Sequence, residues 1–451
     1  MIVPRSRLLF WVAVTVPPFS VVGALVPTAT MLSVAIVAGI VALALVDVAL
    51  ALGILDGISV SIPDIARLSK DREGAIELFI RNERKGARQI RLGLPFPKEI
   101  RSTHDDLIAV LPAESEFSRL VWSCTPARRG KYVIQRCYVE GTSPLGFWSL
   151  RKALPVNAEV RVYPNLFEER KNLAALFLNR GGFGVHTLRQ VGKGREFEKL
   201  REYIPGDSFD DIHWKATAKR SRPVTKVYQI ERTQEVYVVI DASRMSARLS
   251  DIVSSGVRSD DGENTILERF MTAALILGLA AERQGDLFGI LVFGDKVMQF
   301  VRARNGKAHY GTCRDALYTL GPQIVTPDFD ELCSFIRLKL MRRALLVFLT
   351  SLDDPVLADA FVRSMDLIHR HHLVLVNMIN PGRARPLFDD RNVETPDELY
   401  GKLGGHILWH SLRELERALK RRGVQFSLLD NERMSAQLVS QYVSVKRRQI
   451  L

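Results

Sequence analysis

Two stretches without a charged side chain, 8–26 and 29–46, open this 451-residue chain, and apolar residues continue past Asp47 to Leu55. Each run is close to the roughly 20 residues that a helix needs to cross a hydrocarbon layer about 30 Å thick. Inside a bilayer no water can satisfy the backbone, so a helix is the form open to such a run. The Pro17-Pro18 pair is expected to kink the first span, and Pro27-Thr28 to turn the chain into the second. Arg5 and Arg7 precede the first run, Arg67, Lys70 and Arg72 follow the second, and the link between them carries no charge. That asymmetry predicts a helical hairpin over 1–58 with both ends cytoplasmic. A cleaved signal peptide and a buried core hairpin of a soluble protein are the competing readings. Two runs in succession without a small-residue cleavage pattern weigh against the first, and the run lengths against the second.

The texture changes from Ser59 to Pro164. Ala75–Arg81 and Gln89–Leu94 flank an Asn-Glu-Arg-Lys-Gly turn, and Glu116–Trp122 and Gly130–Ile134 continue the alternation. Short alternating strands at this spacing predict a β-sandwich. Nothing in it looks catalytic, and Ser143-Pro144-Leu145-Gly146-Phe147-Trp148 reads as a corner of the sandwich.

Beyond Glu235 the rhythm is α/β. A continuous apolar run at 236–240 reads as a buried parallel strand, 287–293 as a second buried strand, and 344–349, 372–379 and 424–429 as three further strands. Helical patterns lie between them at 267–283, 313–320, 356–371 and 411–422. Such alternation predicts a doubly wound sheet whose ligands sit at the carboxyl ends of the strands. Asp241-Ala242-Ser243, Asp295 and Thr350-Ser351-Leu352-Asp353-Asp354 fall at three of those ends.

The net charge of +13 is spread along the chain without a nucleic-acid-binding motif, so an anionic membrane leaflet or an acidic protein is the expected counterpart. Cys124, Cys137, Cys313 and Cys333 have no metal-ligand spacing and read as reduced, buried thiols of a cytoplasmic protein.

The segment between the two regions has the composition of a site. After a leucine-rich connector predicted as helix from Asn165 to Gly182 come two glycine turns, a Pro205-Gly206-Asp207 turn and a cluster of Asp207, Asp210, Asp211 and His213. A phosphate loop is poorly supported, because no Gly-Lys-Ser/Thr follows Gly192 and Gly194. The carboxylates and His213 fit acid–base or metal-assisted hydrolysis. Arg195, Arg201 and Lys215 allow the plainer reading of a structural ion-pair network, which is favoured. Ser254–Glu263 reads as a polar loop insertion, and His369, His371 and His372 as a solvated helix end.

The blocks Gly-Arg-Glu-Phe at 194–197, Leu-Arg-Glu-Tyr-Ile-Pro-Gly-Asp at 200–207, Ile-His-Trp-Lys-Ala-Thr-Ala-Lys at 212–219 and Asp-Ala-Ser-Arg-Met at 241–245 occur in fixed order. With these the chain resembles the bacterial domain of unknown function 58 family. The resemblance implies an α/β fold of the von Willebrand factor A-like, doubly wound kind at 236–451, behind a membrane hairpin at 1–58, a β-sandwich-like domain at 59–164 and a connector with the signature at 165–235. It implies a bacterial inner-membrane protein whose soluble part faces the cytoplasm and acts as an adaptor beside a MoxR-type AAA+ ATPase. A hydrolase and a purely structural envelope scaffold are the alternatives. The signature residues that the resemblance marks for partner binding are Gly194, Glu196, Phe197, Arg201, Glu202, Tyr203, Pro205, Gly206, Asp207, His213, Trp214 and Lys219.

The metal-ion-dependent adhesion site of such domains has an Asp-x-Ser-x-Ser loop, a Thr and a further Asp, hard oxygens suited to Mg²⁺. Asp241 and Ser243 match it, Met245 stands where the second Ser is expected, Thr312 is a loose candidate for the middle ligand, and Asp353 for the last. The resemblance thus implies a degraded Mg²⁺ site, because a thioether in place of a hydroxyl weakens the hold on a hard cation.

Overall fold

The computed structural model describes residues 1–84, 88–167, 169–171, 191–205, 208–229, 234–250, 265–382, 384–387 and 395–448, with the backbone alone at 88, 191–199 and 227–229. The expected helix over Asn165–Gly182 and the polar insertion Ser254–Glu263 lie largely or wholly outside these residues. The chain divides into two compact units, Met1–Asn165 and Leu166–Leu451.

In the first unit α1 (Ser6–Leu25) and α2 (Thr30–Ala51) form the hairpin, joined by a short turn at Pro27–Ala29. Both are long and apolar enough to cross a membrane. Their surfaces separate them from a soluble core hairpin, since Phe10, Leu32 and Leu45 are each more than 60% exposed. Large apolar side chains on two adjacent helices suit lipid rather than water. Pro17 and Pro18 lie inside α1. Thr15 Oγ1 donates to the Trp11 carbonyl at 2.5 Å and Ser20 Oγ to that of Val16 at 2.6 Å, as hydroxyls in apolar helices do.

The rest of the unit is β-structure. Its strands are β1 (Ile2–Pro4), β2 (Ile58–Ser61), β3 (Ile65–Ser69), β4 (Gly74–Asn82), β5 (Arg88–Gly93), β6 (Ile100–Ser102), β7 (Leu107–Leu111), β8 (Phe117–Pro126), β9 (Gly130–Thr142) and β10 (Trp148–Tyr163). One sheet runs β1-β10-β9-β5-β7, with β3 parallel to β10, and the other runs β2-β4-β8-β6. Alternation along β4 sends Ile76, Leu78 and Ile80 inward, where they join Ile90 and Leu92 of β5 and Val160 and Val162 of β10 in a core shared by both sheets. Trp122 is buried there, and its indole donates to Ser102 Oγ at 2.7 Å.

The hairpin is fastened to this β-structure at its base. Asp47, fully buried near the end of α2, accepts hydrogen bonds from Ser143 Oγ (2.6 Å), Leu145 N (2.9 Å) and Phe147 N (3.1 Å). The Trp148 indole donates to the Ala44 carbonyl at 2.9 Å. Ahead of α1, β1 pairs with Trp148–Leu150 of β10, and the Met1 ammonium donates to the Arg151 carbonyl. The corner expected at 143–148 is therefore the seat of the hairpin.

The second unit begins with an antiparallel pair, β11 (Val191–Glu202) and β12 (Val224–Gln229), linked through a 3-10 turn at Phe209–Asp211 and α3 (Trp214–Arg220). Its main sheet comprises β13 (Glu235–Asp241), β14 (Leu287–Phe293), β15 (Val297–Arg304), β16 (Ala344–Leu349), β17 (Leu373–Ile379) and β18 (Gln425–Leu429). The order is β15-β14-β13-β16-β17-β18, all parallel except the edge strand β15. Val236, Val238 and Ile240 face α4 (Ile266–Arg283), α5 (Lys307–Leu317) and α9 (Met434–Arg447). Tyr237 and Val239 face α6 (Phe329–Lys339), α7 (Pro355–Ser364) and α8 (Pro396–Arg421) on the other side. The chain is thus a mixed α/β protein, with helices on both faces of the six-stranded sheet of its second unit.

The five expected strands are all present. Some helices differ: α5 begins at Lys307 rather than Cys313, α8 at Pro396 rather than Ser411, and α7 ends at Ser364, followed by a 3-10 turn over Met365–Leu367. The early start of α8 has a local cause, since Thr395 Oγ1 accepts from Glu398 N, Pro396 occupies the first turn, and Asp397 and Glu398 face the positive helix end. His372 is buried rather than solvated, and burial, then His371, lowers its pKa. All four cysteines are free and buried, and burial pushes Cys124 and Cys137 up to about 11 and Cys313 and Cys333 up to about 12.

Candidate functional site

β13 is apolar up to Ile240 and then stops on Asp241 at the carboxyl rim of the sheet. Asp241 is fully buried: its Oδ1 accepts from Ser243 N at 2.9 Å, and its Oδ2 from Thr350 Oγ1, just past β16, at 2.7 Å. Ser243 Oγ in turn accepts from Met245 N at 3.4 Å and caps the 3-10 turn Arg244–Ala247, while Ser246 Oγ donates to the Ser243 carbonyl. An Asp two residues before a Ser closes such a turn on its own backbone. Burial raises the Asp241 pKa, against the hydrogen bonds from Ser243 and Thr350 that favour the carboxylate.

A second carboxylate stands on the same rim. Asp353 receives a two-pronged hydrogen bond from the Arg248 guanidinium, at 2.5 and 2.8 Å. Burial alone would raise the Asp353 pKa, but the hydrogen bonds and charge of Arg248 outweigh it and the net shift is downward. The Arg248 guanidinium is held protonated first by its hydrogen bond to Asp353, and the negative charge of Asp241 acts on it as well. Arg248 thus bears on both rim carboxylates, by hydrogen bonds to Asp353 and by charge to Asp241. Thr312 lies elsewhere in the fold, exposed on α5, where its hydroxyl donates to the Ala308 carbonyl of its own helix. Asp295 is exposed in the turn between β14 and the antiparallel β15.

The donor set fits Mg²⁺ poorly. Asp241, Ser243 and Thr350 offer hard oxygens, yet Met245 contributes a thioether position, and Asp353 is already neutralised by a guanidinium. Among the described residues no group of three or more His, Cys, Asp or Glu side chains is placed to hold a metal.

The signature segment forms β11, β12 and the turns between them. Gly194, Glu196 and Phe197 lie on β11, while Gly206 and Asp207 fall outside the described residues. Glu202 pairs with Arg222 at 3.4 Å, Tyr203 stacks at a tilt on Phe209 with centroids 6.1 Å apart, and Arg201 Nη1 donates to the Glu202 carbonyl. Pro205, Trp214 and Lys219 are exposed. His213 accepts from Ala216 N through Nδ1 at 3.0 Å and so caps α3. Asp210 is exposed, and Asp211 is half-buried in the 3-10 turn. The sequence pattern placed Asp241, Ser243 and the 350–354 loop at one rim. It did not single out Arg248, whose partner stands 105 residues further on.

No curated protein matches the chain. Among solved structures it is similar to BatB from Bacteroides thetaiotaomicron at 14% identity and a TM-score of 0.29, covering 48% of this chain and 99% of that one. A membrane spanning protein from Vibrio fischeri, described as uncharacterized, is similar at 15% identity and a TM-score of 0.17 over 47% and 98%. Likenesses this distant assign neither fold nor function. The family model described as "Protein of unknown function DUF58" matches residues 199–397, from within β11 through Asp241 and the 350–354 loop to the start of α8, and it is this part of the chain that belongs to the DUF58 family.

Proposed function

We propose that this is a membrane-anchored adaptor whose α/β domain, of the von Willebrand factor A-like type, binds another protein at the carboxyl rim of its parallel sheet. The observation that carries the reading is the pairing of a fully buried carboxylate, Asp241, with an Arg248–Asp353 ion pair beside it, on a rim where doubly wound sheets take their ligands. The Arg248 guanidinium is a fixed cation whose charge reaches both carboxylates, and a partner carboxylate competing with Asp353 for it would gain a charge-assisted, two-pronged contact. We place the anchor in a bacterial inner membrane with the soluble part cytoplasmic, from the basic flanks of the hairpin. We name a MoxR-type AAA+ ATPase as the partner, from the family resemblance of the signature blocks.

The test is a pull-down from detergent-solubilised membranes with the wild type, Asp241→Ala and Arg248→Gln, each with Mg²⁺ and with a chelator. Retention of an AAA+ ATPase by the wild type, and its loss with either variant, supports the rim. Loss with chelator alone would mean that Mg²⁺ is part of the contact in spite of Met245. Retention in every sample would sink the rim reading and move the contact to the signature segment.

A further inference from the structure

At the mouth of the hairpin two cavities meet. One, of about 320 Å³, is polar and is lined by Arg5, Ser6, Arg7, Thr142, Ser143 and Gly146 among others. The other, of about 670 Å³, shares Ser6 and Arg7 with it and continues along the hairpin between Phe10, Trp11, Ile40 and Leu43, with Leu145 and Phe147 at its upper edge. From Arg7 to Thr15, at the far end, α1 rises about 12 Å at 1.5 Å per residue. The crevice is therefore basic at the membrane boundary and apolar below it.

The two arginines are placed rather than loose. Arg5 donates from Nη1 to Thr142 Oγ1 at 3.2 Å. Arg7 lies over Gly146, whose φ of +79° suits glycine, and a Cβ added there would stand 3.2 Å from Arg7 Nη1. Among the described residues no carboxylate lines the polar cavity. The nearby Asp47 is fully buried, and both its oxygens are taken up by Ser143, Leu145 and Phe147. Two guanidiniums without a carboxylate among the lining residues call for an anion, and the planar fork of arginine matches phosphate oxygens. A Trp near the head-group level is also where such a side chain settles in a membrane.

We propose that this crevice holds one anionic phospholipid, with its phosphate on Arg5 and Arg7 and an acyl chain along Phe10, Trp11, Ile40 and Leu43. The inference rests on the reading of the hairpin as a membrane anchor. The phospholipid is favoured over free phosphate because the apolar cavity opens from the same two residues and runs along helices that carry exposed apolar side chains. One lipid so held would fill the gap between the hairpin and the corner at 143–148.

The experiment uses the full chain in detergent micelles, read by native mass spectrometry and by thermal melting while lipid is added. The probes are phosphatidylglycerol, phosphatidylcholine with the same acyl chains, and inorganic phosphate. The expected result is one phosphatidylglycerol retained per chain with a rise in Tm, little of either with phosphatidylcholine or phosphate, and about a tenfold weaker hold in Arg7→Gln, the loss of one charge-assisted contact. Arg136→Gln, an exposed charge outside both cavities, should match the wild type, and Leu43→Phe should weaken lipid retention without touching a charge. Equal retention of phosphatidylcholine, a rise in Tm of the same size with inorganic phosphate, or an Arg7→Gln variant that matches the wild type would each overturn the site. Extraction of the chain from membranes by alkaline carbonate without detergent would overturn the anchor instead, so the two failures are told apart.

Discussion

Burying Asp241 works against its charge, which gives that residue a pH signature. Its pKa in the folded chain stands above the ordinary value of 3.8, so its favourable contribution is complete below that pH and is lost as pH rises through the folded value. Asp241→Asn keeps the shape and has no proton to lose. Melts at pH 4 and pH 7 should therefore show the Asn variant gaining on the wild type as pH rises; a difference that does not change with pH would refute the assignment. Asp241→Ala should cost about 1–3 kcal/mol at either pH, because Ser243 N and Thr350 Oγ1 lose their acceptor. At this scale Asp241 and Ser243 were legible, since a polar Asp-x-Ser directly after a continuous apolar run marks the end of a buried strand. Arg248 was not, because a guanidinium is read from sequence only as charge, and its partner comes from another strand end. Nor was the role of His213, whose capping of α3 depends on a short helix that no apolar periodicity announces.

Among the elements, the central strands β13, β14 and β16 were legible because both of their faces are covered, so their sequences are apolar almost without a break. The edge strand β15, VMQFVRAR, shows a mixed pattern that reads equally well as a loop, and seven of the twelve residues of β11 are charged. Both exist through pairing with a neighbour, which sequence alone does not display. One packing detail of the sheet makes a sharp prediction. Gly289 of β14 lies opposite Tyr237, and a Cβ there would come within 2.6 Å of the ring and 2.7 Å of the Val301 carbonyl. A backbone carbonyl in a sheet ladder cannot swing aside, so Gly289→Ala should destabilise the second unit by about 2–3 kcal/mol by denaturant unfolding. Wild-type stability in that variant would mean that β15 can move away from β14. The opposite end of the sheet is closed by Asp286, which accepts from Tyr442 Oη and from Lys446 Nζ and so ties α9 to the start of β14.

For the whole molecule, the hairpin was legible from its charge-free runs, but its fastening was not, because Asp47 finds its donors 96 to 100 residues away. In sequence Asp47 only interrupts an apolar run that continues to Leu55; in the fold it is the peg on which the corner at 143–148 sits. Asp47→Ala leaves a hydroxyl and two backbone N–H groups without their acceptor, and should lower stability in detergent by about 3 kcal/mol. Thermal melts would check this, and an unchanged Tm would mean that water replaces the carboxylate. The amino-terminal strand adds an order of events. Ile2–Pro4 can join the sheet only once Trp148–Leu150 exist, so during synthesis the first residues must wait while nearly 150 more are made. By then both apolar helices have left the ribosome and can enter the bilayer. The strand therefore acts as a late latch, closing the β-structure onto a hairpin that is already in place.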